Sequence, residues 1–209
     1  MKNSIKKCFI DFDGTIVDNK KRLYQFFVDN LKNEHKECLD INEYWHLKKL
    51  AINEVEWVNK TFSAAYSVSE ISCKKARDIE NDFYLSYEEI FDYSIDEIKR
   101  IKKQYFVVLV TRRENKKGLQ NELSRFKLTD LFDDIIVLKH GDVKKSEAIK
   151  KIYNITGSDI LIGDTEDDLY SGYELGCKIY FVLSGIRGTW LKTKIGFPVI
   201  MVKDLTEVR

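Results

Sequence analysis

Histidine and cysteine are scarce in this chain of 209 residues, and neither is arranged to hold a metal. His35, His46 and His140 show no ligand spacing, and Cys8, Cys38, Cys73 and Cys177 include no CxxC pair. That pattern argues against a zinc site and reads as reduced thiols in a cytoplasmic protein. No apolar run approaches the length of a membrane span. The first residues carry lysines but no apolar signal-peptide region or cleavage site. Neither sign of charge is in excess: the formal net charge is +1, so no global field attracts nucleic acid or an anionic membrane. Repeats and low-complexity linkers are also missing. What is present is 44% hydrophobic and 33% charged, enough for a sizeable core in one domain, or in one core domain with a modest insertion.

The apolar pattern alternates between two periods. Residues 6–12, 105–111, 134–138, 159–164 and 178–183 read as strands, and "FPVIMV" at 197–202 reads as one more short one. Between them, residues 94–103, 116–126, 145–153 and 167–175 have helical spacing, and "SIDE" at 94–97 looks like a capping box. Alternating strands and helices predict an α/β fold, a Rossmann-like parallel sheet with helices on both faces. Residues 19–92 interrupt that alternation. They carry no strand signal: 19–32 is one helix, the stretch around Tyr44, Trp45, Leu47, Leu50, Trp57 and Val58 forms one or two, and 77–91 forms another with Ile79, Phe83 and Ile90 on one face. This block reads as an all-helical insertion after the first strand, with Trp45 and Trp57 in its core. The basic stretch 98–104 reads as a solvated helix face.

The chemistry collects where strands end. In open α/β sheets ligands sit beyond the carboxyl ends of the strands. The first strand runs into Asp11, Asp13, Gly14 and Thr15, and period-two alternation would turn Asp11 and Asp13 the same way. The second ends in Thr111, followed by Arg112 and Arg113 at the rim. Lys144 and Lys145 open the helix after the third. The fourth ends in Gly163 and Asp164, with Glu166, Asp167 and Asp168 behind. "GIRG" at 185–188 follows the fifth and offers Arg187 as a substrate contact. Carboxylates that converge repel unless a cation lies between them. Hard oxygen ligands beside a hydroxyl and an ammonium suit Mg²⁺ and a phosphate. Such a site can use one carboxylate as nucleophile toward phosphorus and another as general acid and base, with Lys and Thr holding the transferring oxygens.

The combination resembles the haloacid dehalogenase superfamily of phosphohydrolases. "DFDGTIVD" is similar to the family's DxDGT motif, "LVTRR" to its strand ending in Thr or Ser, "KKSEAIKKI" to its lysine at the head of a helix, and "IGDTEDD" to GDxxxD. The resemblance implies Asp11 as nucleophile and Asp13 as acid/base. It implies Thr111 and Lys145 as phosphate ligands, with Arg112 beside them and Lys144 the alternative lysine. It implies Mg²⁺ held by Asp11, Asp164 and Asp168, and by Asp13 through its backbone carbonyl. The likeness covers residues 5–18 and 93–205. On this basis residues 1–18 and 93–209 form the core domain, and 19–92 the helical cap that one branch of the family inserts there. The expected activity is a Mg²⁺-dependent phosphatase whose partner is a small phosphorylated metabolite, not nucleic acid or membrane. A phosphomutase of the same superfamily and a phosphate-binding pseudoenzyme are the alternatives. A dehalogenase is disfavoured by Asp13, which that branch lacks. A phospho-receiver module is disfavoured by the insertion and by the acceptor's place on the first strand.

Overall fold

Strand runs that are apolar at every position need cover on both faces, and this chain supplies it. The computed structural model describes residues 5–209. In chain order the elements are β1 (Lys7–Ile10), β2 (Val17–Asp18), α1 (Lys20–Asp29), α2 (Ile41–Lys49), α3 (Glu54–Phe62), α4 (Val68–Asp78), α5 (Asp82–Leu85), β3 (Glu89–Ile90), α6 (Ser94–Lys102), β4 (Phe106–Arg112), α7 (Lys116–Arg125), β5 (Asp134–Leu138), α8 (Lys145–Ile152), β6 (Ile160–Gly163), α9 (Glu166–Leu175), β7 (Lys178–Val182), α10 (Leu191–Lys194) and β8 (Ile200–Val202). Six strands form one sheet in the order β5-β4-β1-β6-β7-β8, every neighbouring pair parallel. Alternate residues feed opposite faces. Cys8, Ile10, Val107, Leu109, Ile160 and Ile162 pack into one cluster, whereas Phe9, Val108, Val110 and Leu161 pack into another. Among the described residues no helix is long and apolar enough to cross a membrane.

The strand order fixes where a ligand can sit. After β1 the chain winds toward β4 and β5; after β6 it winds the other way, toward β7 and β8. The two directions part between β1 and β6, and the crevice at such a switch point is open at the strands' carboxyl ends. Asp11 and Asp164 are the residues that follow those two strands.

Helices α1–α5 lie between β1 and β4. Side-chain caps start four of them: Asp40 for α2, in a full capping box with Glu43, then Asn53, Ser67 and Asn81. They share a core of their own, built on Leu23, Phe26, Phe27, Tyr44, Leu47, Val58 and Ile79, with Trp45 and Trp57 half-buried against it. Three expectations change here. The block is not free of strand: β2 and β3 pair antiparallel, Val17 with Ile90 and Asp18 with Glu89, and close its two ends into a ribbon. A two-residue strand has no periodicity to read. The helix expected over 77–91 is broken, because the Asn81 side chain accepts from the Tyr84 N–H and starts a new turn. Ile90 therefore joins β3, and Phe83 is exposed. Finally, Ser94 does not cap α6; its Oγ donates to the Ile16 carbonyl at 2.7 Å, tying that helix to the chain beside the ribbon.

Candidate active site

β1 stops at Ile10, so strand alternation does not carry through Asp11 to Asp13. The chain turns instead, with Gly14 at φ +76°. A Cβ on Gly14 would lie 2.7 Å from Asp164 Oδ2, and one on Gly185 would clash with the same atom. Glycine at both places lets two loops close on Asp164. Asp11 and Asp13 line one cavity of about 350 Å³, but their carboxylates meet different partners.

Asp11 belongs to an acidic cluster. Asp11, Asp164 and Asp168, all buried, each bring an oxygen within 4.8 Å of the others. Lys145, the first residue of α8, places Nζ 2.6 Å from Asp11 Oδ1 and 2.6 Å from Asp168 Oδ1. Its neighbour Lys144 points outward to Glu174 at 2.5 Å. Asp168 is further fixed at the start of α9, where its Oδ2 accepts from the Thr165 N–H and hydroxyl. Asp164 Oδ2 accepts from the Ile186 N–H at 2.6 Å, and its Oδ1 is buried with no partner among the described residues. Three carboxylates thus face one ammonium. Burial pushes the Asp11 carboxyl up to about 7; Asp168 adds to this and Lys145 opposes it. Burial, then Asp11 and Asp168, raise Asp164 as well. A divalent cation would cancel the two surplus charges, and the orphaned oxygen on Asp164 would be a donor suited to it. The donor set is all hard oxygen, which fits Mg²⁺.

The other expected residues are also near. Thr111 is buried on β4 and lines the cavity. Arg112 lines it too, with its guanidinium held by Asp167 at 2.8 Å and by the carbonyls of Lys139 and Val143. Ile186 faces the cavity, whereas Arg187 turns onto Glu166 at 2.8 Å. The acidic first turn of α9 therefore holds two arginines in place.

The haloacid dehalogenase-like hydrolase profile matches residues 9–182, from β1 through β7. The chain belongs to this family. No curated protein matches it in sequence. Solved structures of haloacid dehalogenase-like proteins do match in fold. A haloacid dehalogenase-like family hydrolase of Streptococcus pneumoniae is 18% identical with a TM-score of 0.66, over 97% of this chain and 96% of that one. A predicted phosphoglycolate phosphatase of Haemophilus somnus is 17% identical with a TM-score of 0.65, over 99% and 97%. YfnB of Bacillus subtilis, solved bound to magnesium, is 17% identical with a TM-score of 0.61, over 98% and 97%.

In this haloacid dehalogenase-like hydrolase a second charged cluster lies behind Asp13, and the motifs do not announce it. Asp13 Oδ1 accepts from Arg22 at 2.8 Å and from Arg113 at 2.9 Å. Both arginines also reach buried Glu88, and Arg113 lies 3.3 Å from Glu122. Arg22 had one legible signal: it falls four residues before Phe26, on the buried face of α1. Burial opposes the charge on Glu88, but Arg22 and Arg113 outweigh it and hold its carboxyl down at about 2. Burial, and then a hydrogen bond with Glu88, push Glu122 up to about 10. Arg113 approaches Glu122 Oε2 at 3.3 Å and Arg125 approaches Oε1 at 3.7 Å, but neither oxygen accepts a hydrogen bond among the described residues.

The Glu122 proton has a measurable consequence. An unfolded Glu loses it near pH ~4.3, and the folded Glu122 keeps it until about 10. Between those values only the folded state binds the proton, so this group's contribution to stability falls as pH rises. Glu122→Gln keeps a neutral donor and removes the titration. Thermal melts from pH 5 to 9 should fall less steeply for Glu122→Gln than for the wild type. Parallel curves would mean that Glu122 is ionised in the fold.

Proposed function

We propose that this protein is a Mg²⁺-dependent phosphatase that hydrolyses a small phosphorylated metabolite through an aspartyl phosphate on Asp11. The observation that carries the reading is the trio Asp11, Asp164 and Asp168, buried against one lysine at the switch point of the sheet. Asp11, Asp164 and Asp168, with the Asp13 carbonyl, would hold Mg²⁺. When bound, the ion neutralises the surplus negative charge and lets a phosphate dianion approach. Asp11 attacks phosphorus and becomes phosphorylated. Thr111 and Lys145 hold the phosphoryl oxygens, with Arg112 at the rim.

Asp13 serves as the acid that protonates the leaving oxygen and then as the base that activates water. Such an acid must hold a proton near neutral pH. Burial raises the Asp13 carboxyl above the usual range, although Arg113 and Arg22 pull it down. Both arginines engage Oδ1, which leaves the other oxygen to exchange the proton. Residues 19–92 act as a cap over the site: Asn19, Arg22, Leu23, Lys75, Ile79 and Glu80 line the same cavity as the carboxylates. A cavity of about 350 Å³ walled in this way suits a small substrate, and closure of the cap over it would keep bulk water from the intermediate.

Phosphate release from nitrophenyl phosphate and from a panel of phosphorylated metabolites tests this reading. EDTA should abolish release and Mg²⁺ restore it. Asp164→Ala should raise the Mg²⁺ concentration for half-activity by tenfold or more. Ca²⁺ should substitute poorly, because it prefers more ligands at longer distances. Turnover indifferent to chelators would remove the metal from the mechanism.

A further inference from the structure

Four lysine or arginine side chains line the cavity: Arg22, Lys75, Arg112 and Lys145. Three of them are matched by carboxylates. Arg22 meets Asp13 and Glu88, Arg112 meets Asp167, and Lys145 meets Asp11 and Asp168. Lys75 differs. Among the described residues no carboxylate lies within 4.0 Å of its ammonium, and it donates to no other group. Glu54, the acid with most influence on it, is engaged by Lys48 at 3.0 Å. Glu80, which shares the cavity wall, accepts from the Asn115 N–H.

We infer that Lys75 is the specificity residue of a second anion subsite, and that the substrate is a phosphomonoester bearing a further anionic group, a carboxylate or a second phosphate, at the far end of a short carbon skeleton. This rests on the phosphatase reading above. The skeleton has a matching surface. Leu23, Ile79 and Ile186 are the apolar residues of the cavity, and Ile79 follows Lys75 by one helical turn. One end of the substrate is then fixed by the Asp11 side of the cavity and the other by α4. Burial pushes the Lys75 ammonium down to about 8, with Lys48, Arg22 and Arg187 adding to the shift and Glu54 opposing it. An anion placed there would relieve repulsion among these cations. Asn19 adds a buried Oδ1 without a partner among the described residues, an acceptor suited to a hydroxyl on the skeleton.

The test uses three substrates that differ at one end: propyl phosphate, 3-(phosphonooxy)propanoate and propane-1,3-diyl bisphosphate. Wild-type protein in Mg²⁺ should prefer at least one of the two charged-tail esters over propyl phosphate by tenfold or more in kcat/KM. The preferred tail decides between carboxylate and phosphate. Lys75→Met should erase most of that preference, chiefly through KM. Lys75→Arg should keep it, and so should Lys74→Met, which removes a charge from the exposed neighbouring position. Calorimetric titration of the same three compounds into Asp11→Asn protein reads the subsite without turnover, and there Lys75→Met should lose the same discrimination. Equal affinity for all three compounds, or a preference that survives Lys75→Met, overturns the inference. Absence of turnover on every ester, with charge-selective binding intact, would instead count against the phosphatase reading alone.

Discussion

Asn in place of Asp11 is expected to lower phosphate release from every substrate by at least about 10⁴-fold, as loss of a covalent nucleophile does elsewhere. The amide has the shape of the carboxylate but cannot attack phosphorus. The protein should stay folded. Asp11 is buried beside Asp164 and Asp168, so removing its charge relieves repulsion, and Lys145 keeps Asp168 as a partner. In chelator the melting temperature of Asp11→Asn should equal or exceed that of the wild type, while the stabilisation gained from added Mg²⁺ should shrink. Folded Asp11→Asn protein with near-wild-type turnover would remove Asp11 from the chemistry. A low melting temperature with low activity would point to a structural role instead.

Arg113→Met is expected to be the most damaging single change for stability. Arg113 is 1% exposed, and Asp13, Glu88 and Glu122 converge on it. Its guanidinium also lies 5.5 Å from the centre of the Phe12 ring. Methionine fills much of the volume but leaves Asp13 and Glu88 to share Arg22 alone, so one buried carboxylate charge is uncompensated, a defect that costs about 3–5 kcal/mol. For a chain of this size the melting temperature should fall by roughly 10 °C. Neutralising a partner should recover part of it: Arg113→Met with Glu88→Gln should melt above Arg113→Met alone. If that double variant melts lower still, Glu88 contributes through contacts other than Arg113. Phosphate release should fall too, because Asp13 loses one of the two donors that fix it.

These two residues also mark the boundary of what the sequence reveals. The sheet was legible because β1, β4, β6 and β7 are apolar runs buried on both faces, and such runs report their environment locally. Asp11 and Asp164 were legible because carboxylates at the ends of such runs have no structural reason to be there. Lys145 is preferred over Lys144 in the sequence only because it directly precedes the helical pattern; in the fold Lys145 points inward to Asp11 and Lys144 outward to Glu174. Arg113 could be read only as a rim residue after the second strand, and Glu88 not at all. The cluster gathers residues from the loop after β1, from α1, from just before β3, from just after β4 and from α7, and nothing local in the sequence records such a meeting. The β2–β3 ribbon was hidden for the same reason, since each half is two residues long and makes sense only when paired with the other.

That ribbon has a consequence for the order in which the protein assembles. β1 lies in the middle of the sheet, yet its partners arrive late: Lys7 pairs with Phe106 across the helical block, and Cys8 with Ile160. The nucleophile's strand must wait for much of the chain, and such long-range pairing slows folding. The helical block has its own core and caps, so it can collapse early, and the ribbon then brings Val17 and Ile90 side by side. Once that has happened, the loop that β1 must close to find β4 is short. Each halving of a flexible loop saves about 0.6 kcal/mol of closure entropy. The ribbon should therefore also act as a folding clamp, and Ile90→Pro should slow refolding more than it lowers equilibrium stability.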